Sequence, residues 1–120
     1  VNNRKVGSWY ERLAREYVKK NGGRIVATNY RLRNGEIDII AYDDSYLCFI
    51  EVKYRKDKKY GGPEAAVNLS KQKKICKTSL FYLYSQGLSE DIPIRYDVIC
   101  VSGEQESVSV YWHKNSFDFI

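Results

Sequence analysis

The sequence predicts an α/β fold, a central mixed β-sheet flanked by helices in the order α-β-β-β-α-β-β. Two observations carry that prediction. Apolar residues recur at helical spacing in two segments, near residues 8–20 and 70–86. Between and after them lie short apolar runs rich in Ile, Val, Phe and Tyr, separated by polar or glycine-containing turns. An antiparallel meander followed by a helical crossover to a further strand makes a mixed sheet with helices packed on it. The whole of 1–120 is expected to form one domain, long enough for a core without metal or disulfide staples.

The first helix is expected from Ser8 to about Lys20, with Trp9, Leu13 and Tyr17 on one stripe, widened by Tyr10, Ala14 and Val18. Ser8 followed by Glu11 fits a capping box, and Gly22-Gly23 ends the helix. Strands follow at about Arg24–Arg31, at Gly35-Glu36-Ile37-Asp38-Ile39-Ile40, and at Leu47–Lys53, with turns at Asn34-Gly35 and Asp43-Asp44-Ser45. Residues 55–62 read as a basic loop, and Pro63-Glu64 can open a helical turn. The second helix spans about Ser70–Gln86, closed by Gly87, before strands at Ile92–Val101 and Ser107–His113.

Composition narrows the function classes. No apolar run approaches the roughly 18 residues that span a bilayer, and Val-Asn-Asn-Arg-Lys continuing into an amphipathic helix does not read as a signal peptide. The three cysteines, Cys48, Cys76 and Cys100, lie in apolar segments without a C-x-x-C pair. Reduced, buried thiols and a cytoplasmic location are therefore expected. The net charge of +5 favours polyanion partners. Arg55, Lys56, Lys58 and Lys59 follow the third strand, and Lys71, Lys73, Lys74 and Lys77 open the second helix. An ordinary solvated lysine face is the competing account of each cluster.

The chemistry concentrates in Asp38, Glu51 and Lys53, three charges set in apolar strands where burial costs several kcal/mol unless compensated. Strand alternation puts Glu36 and Asp38 on one face, and Glu51 and Lys53 on one face. A two-residue turn at Asp44-Ser45 makes opposed residue numbers sum to 89, so Asp38 faces Glu51 and Glu36 faces Lys53. Such carboxylates can hold Mg²⁺, or Mn²⁺, with the backbone carbonyl of Val52 as a further ligand, while Lys53 orients a water or neutralises a phosphate. Glu11 has two open readings, helix cap or additional acid. Glu36 is read as a supporting partner of the site, and Gln72 as either a substrate contact or a solvated helix residue. His113, the only histidine, is expected exposed, and Asp97 paired with a neighbouring base.

At these residues the chain resembles the PD-(D/E)xK nuclease superfamily, specifically the YraN family of Holliday-junction-resolvase-like proteins. The matching motifs are Gly7, Trp9-Tyr10-Glu11 and Ala14, then Asn29-Tyr30-Arg31, Gly35-Glu36-Ile37-Asp38-Ile39-Ile40, and Phe49-Ile50-Glu51-Val52-Lys53-Tyr54-Arg55. Gly62, Ala66-Val67, Lys71-Gln72-Lys73 and Arg95-Tyr96-Asp97-Val98 extend them over nearly the full length. The resemblance implies a restriction-endonuclease-like fold, Asp38 and Glu51 as metal ligands, Lys53 as catalytic lysine and Glu11 as a possible additional acid. The expected function is a Mg²⁺-dependent endonuclease acting on DNA, with branched or flapped structures as candidate substrates. Arg55, Lys56, Lys58, Lys59, Lys71, Gln72 and Lys73 would contact its backbone. A homodimer would suit symmetric cutting, with Val110-Tyr111-Trp112 and the Phe117–Phe119 tail as candidate surfaces. The rival readings are a nucleic-acid-binding module without useful turnover and an RNA-cleaving toxin domain.

Overall fold

In the computed structural model, which describes residues 3–56, 67–104 and 106–120 and side chains from Trp9 onward, the elements follow the expected order. They are α1 (Asn3–Lys20), β1 (Arg24–Leu32), β2 (Gly35–Asp43), β3 (Tyr46–Arg55), α2 (Leu69–Ser85), β4 (Ile94–Ser102) and β5 (Ser109–Phe117). One five-stranded sheet runs in the order β1-β2-β3-β4-β5. Only β3 and β4 pair in parallel, because α2 carries the chain back across the sheet between them. The fold is thus the mixed α/β sheet with helices that the sequence predicts. The Pro63-Glu64 turn, Gly62, Ala66, Lys58 and Lys59 lie outside the described residues. No helix among the described residues is long and apolar enough to cross a membrane.

Each helix covers one face. Ala14 and Val18 of α1 are fully buried against Ile39, Ala41, Cys48, Ile50 and Ile99. Ile75, Cys76, Tyr82 and Leu83 of α2 pack on Ile37, Ile40, Leu47, Phe49, Tyr96 and Val98. Buried from both sides, β3 reads as an unbroken apolar run from Leu47 to Ile50 rather than an alternating one. The helix caps differ from the expected capping box. Because α1 begins at Asn3, Ser8 lies inside the helix and is not its N-cap. Its C-terminus does end as expected: Gly22, at φ +91, lets the Gly23 N–H reach the Val18 carbonyl at 2.8 Å.

Gly35 sets how closely α2 approaches the sheet. A Cβ there would sit 2.1 Å from Thr78 Oγ1 and 3.2 Å from the Lys74 carbonyl. The Thr78 hydroxyl is itself held by donating to that carbonyl at 2.7 Å, so it cannot simply turn away. Gly35→Ala is therefore expected to destabilise the fold by about 1–3 kcal/mol, the scale of overpacking, read as a lower urea midpoint. The three cysteines form no disulfide and are buried, as expected. Burial pushes the Cys48 thiol up to about 12. Iodoacetamide at pH 8 should label none of them until the protein unfolds.

Candidate metal and phosphate site

The β2–β3 hairpin has the expected register: Asp43 pairs with Tyr46 and Ile39 with Ile50, across a two-residue turn in which Asp44 takes φ +56. The backbone ladder runs from Asp43↔Tyr46 only as far as Ile39↔Ile50. One step further the Val52 N–H is taken by the Asp38 side chain, at 2.7 Å from Oδ2. A strand residue directs its N–H and carbonyl to the same neighbour, so the Val52 carbonyl also faces Asp38.

Strict alternation fails at this point of β2. Ile37 and Ile40 both reach the α2-side core, whereas Ile39 lies on the α1 side. On β1, Asn29 opposite this kink adopts φ +50. The ladder that would set Glu36 opposite Lys53 ends before either residue. Glu36 turns to its β1 neighbour Arg31, whose Nε donates to it at 3.0 Å. The Glu36 charge still contributes to raising the Asp38 pKa.

What the kink brings together is an acid pair. Glu51 is only 6 % exposed, and it lies close enough to the half-buried Asp38 for its charge to act on that carboxyl. Burial first, and the Glu51 charge second, push the Asp38 carboxyl up to about 8 despite the stabilising Val52 N–H. Lys71, from the first turn of α2, forms an ion pair with Glu51, and its pKa is raised mainly by that hydrogen bond. Lys53 is half-buried and, two positions beyond Glu51, faces the same side of β3.

α1 closes the other side. Tyr10 stacks on Tyr54 at 4.9 Å between centroids, and Trp9 meets the same ring edge-on at 5.7 Å. The Tyr10 hydroxyl is raised by burial and then by the charges of Glu11, Asp38 and Glu51. Glu11, freed from any capping role, is half-buried on the stripe that continues to Ala14 and Val18. Among the described residues no three His, Cys, Asp or Glu side chains come close enough together to form a metal cluster. The candidate donors for a metal here are the Asp38–Glu51 pair with the Val52 carbonyl. That set fits Mg²⁺, which binds through one or two carboxylates while keeping waters and taking substrate phosphate. Two carboxylates whose charges act on each other are also the arrangement that a divalent cation relieves.

The basic residues divide. Lys71 and Lys73 lie on exposed positions of α2. Gln72 is half-buried, and its amide donates to the Val67 carbonyl at 2.7 Å, which ties it to the approach to the helix. Arg55 ends β3, and exposed Lys56 pairs with Glu104 at 3.5 Å. Tyr10 and the Lys71–Glu51 pair were missed as site features. The Tyr10 position beside Glu11 was the available signal for the first, and nothing local signals the second.

Away from this site, His113 is half-buried on β5 rather than exposed, its ring 4.4 Å from that of Tyr111. Trp112 is buried and donates to Asp97, which removes it from the candidate dimer surface, whereas Tyr111 and Phe119 are exposed. Phe117 stacks on Tyr96 at 5.2 Å.

Comparison with known proteins agrees with the motifs. The model of the uncharacterised protein family UPF0102 matches residues 10–101. A UPF0102 protein of Lachnoclostridium phytofermentans is 42% identical over 98% of this chain and 97% of its own length. Another, from Legionella pneumophila strain Corby, is 40% identical over 93% of both chains, and one from Colwellia psychrerythraea is 42% identical over 92% of this chain and 87% of its own. With matches of this extent, the chain belongs to the UPF0102 family, the YraN family that its motifs resemble.

Proposed function

We propose that this protein is a Mg²⁺-dependent endonuclease acting on DNA, with branched or flapped structures as its substrates. The observation that carries the reading is the Asp38–Glu51 carboxylate pair, packed together where β2 and β3 leave their ladder. Asp38, Glu51 and the Val52 carbonyl would hold the divalent ion, which when bound supplies Lewis acidity and an acidified water. The Val52 N–H holds the Asp38 carboxylate by one oxygen, leaving the other to bind the ion. Lys53, on the Glu51 side of β3, would donate to the attacking water or to a phosphoryl oxygen. Lys71 is 53 % exposed on a flexible stem, so it can leave Glu51 for a phosphate once a divalent ion neutralises that carboxylate. Glu11 and Tyr10 would approach the same pocket from α1, and Arg55, Lys56 and Lys73 supply positive charge around it.

A binding module without turnover has one observation in its favour, that Glu51 already has a cation in Lys71. One experiment separates the readings. The protein is incubated with Mg²⁺ or Mn²⁺ on four-way junction, flap, linear DNA and transfer RNA, beside Asp38→Asn and Lys53→Met. Metal-dependent cutting of DNA that both substitutions erase, with binding kept, is the expected result. Equal binding by all three proteins without cutting under either metal overturns the enzyme reading, and preferential cutting of transfer RNA overturns the choice of DNA.

A further inference from the structure

We infer that a groove beside the acid pair binds single-stranded nucleic acid, so that the preferred substrate carries an unpaired arm. The inference rests on the nucleic-acid reading above but not on cleavage. The groove, about 400 Å³, lies between the β1–β2 turn and the outer flank of α2, and is lined by Arg33, Asn34, Lys73, Lys74, Lys77 and Phe81 among others. Its lining includes those four cations and no carboxylate. None of the four forms an ion pair among the described residues, whereas Arg31, on the same hairpin, is paired with Glu36.

Helix stability does not explain the lysines. Cations are favoured near the C-terminus of a helix and disfavoured near its N-terminus. In α2 this is inverted: the first turn has no acidic residue, the last has no basic one, and Lys71, Lys73 and Lys74 crowd the N-terminal half. Glu51 answers Lys71, whereas Lys73 and Lys74, set against the helix dipole, have no ion-pair partner among the described residues and are free to take an external anion. Lys73, Lys77 and Phe81 stand four residues apart, forming a row with steps of about 6 Å along the helix.

Phe81 decides between a single strand and a duplex. Phe81 is 49 % exposed although it ends a row of lysines, and a larger cleft of about 710 Å³, lined by Leu80, Tyr84 and Leu88 with Glu90 beyond them, continues from it. An unstacked base offers a flat face to such a ring, whereas in a duplex that face is covered by the neighbouring pair. The groove also leads to the site. Gly35 on its floor lies three residues before Asp38 on β2, about 10 Å along a strand. A strand held by Lys73, Lys77 and Phe81 would deliver a phosphate to the carboxylates within a few nucleotides.

Fluorescence anisotropy with a labelled 20-nucleotide oligothymidylate, and with a blunt duplex of the same length, tests this in EDTA. The single strand is expected to bind more tightly. Phe81→Ala should weaken it about fivefold or more with little effect on the duplex, and Phe81→Trp should restore it. Lys77→Gln should flatten the dependence of log affinity on log salt by about 0.7. Equal affinity for duplex and single strand, or an unchanged affinity in Phe81→Ala, overturns the inference. So does a Phe81→Ala effect explained by loss of a dimer in sedimentation. Strand binding intact without any cutting would instead sink the endonuclease reading and leave the groove standing.

Discussion

Asp38→Asn is expected to lower metal-dependent cleavage by at least about a hundredfold, the scale of losing one charge-stabilising group, while making the protein more stable. Both effects come from the same contact. The Asp38 carboxyl is raised from 3.8 to about 8 by burial and by Glu51. A carboxyl raised on folding binds its proton more tightly in the native state, so its stabilising contribution is complete below about pH 4 and is lost as pH climbs through about 8. At neutral pH the wild type therefore carries part of the cost of two neighbouring buried carboxylates. Asparagine keeps the shape and can still accept the Val52 N–H, but it has no charge to repel Glu51. A gain on the order of 1–3 kcal/mol, discounted for the partial exposure of the group, should appear in urea melts at pH 8 and vanish at pH 4. Adding Mn²⁺ at a hundred times its dissociation constant should raise wild-type stability by about 2.7 kcal/mol and leave the variant unmoved. A variant no more stable than wild type at pH 8 would show that the pair is not repulsive, and the argument for a cation there would fail with it.

What could be read in advance was local. The sum-of-89 register follows from the Asp44-Ser45 turn and holds from Asp43 to Ile39. The two helical stripes, the Gly22-Gly23 stop and the partner of Asp97 follow from spacing along one element. The kink at Asp38 did not. Period-two alternation assumes an unbroken pleat, and neither Ile37-Asp38-Ile39-Ile40 nor Asn29 signals that the chain rotates there. The start of α1 was misread because Ser8 and Glu11 make a plausible cap, yet the residues before them continue the helix. The Lys71–Glu51 contact depends on where a crossover helix lands, a property of the whole fold. Asn68 fixes that landing by accepting the Lys71 N–H at 2.9 Å, so the N-cap and the site are built from adjacent residues.

Asp97→Ala is expected to cost at least about 3–5 kcal/mol, the scale for breaking a buried ion pair, against total stabilities of about 5–15 kcal/mol for domains of this kind. Asp97 is fully buried, and its carboxylate accepts from Arg95 Nε at 2.9 Å and Nη2 at 2.8 Å, from Trp112 Nε1 at 2.9 Å and from the Asn115 N–H at 2.8 Å. Arg95 also donates to Asp43 at 2.8 Å, and Lys114 pairs with that carboxylate at 2.9 Å, holding Asp43 below the usual carboxylate range. The network thereby ties the irregular end of β5, where Asn115 takes φ +57, to β4 and to the β2–β3 turn. Alanine would leave the indole N–H and the Asn115 N–H without this acceptor and Arg95 with one carboxylate instead of two. Urea denaturation should find Asp97→Ala largely unfolded or far below wild type in midpoint, with Asp97→Asn between them because it keeps an acceptor but not the charge. An alanine variant within 1 kcal/mol of wild type, roughly the cost of an ordinary substitution, would remove the network from the stabilising core. The comparison with Asp38 separates the two acids by their surroundings. Asp97 is surrounded by donors that stabilise its charge, whereas Asp38 has one backbone N–H and a like-charged neighbour. The first carboxylate is built to hold the fold, and the second carries a charge that a proton relieves at neutral pH and that, in the proposed function, a divalent cation would relieve.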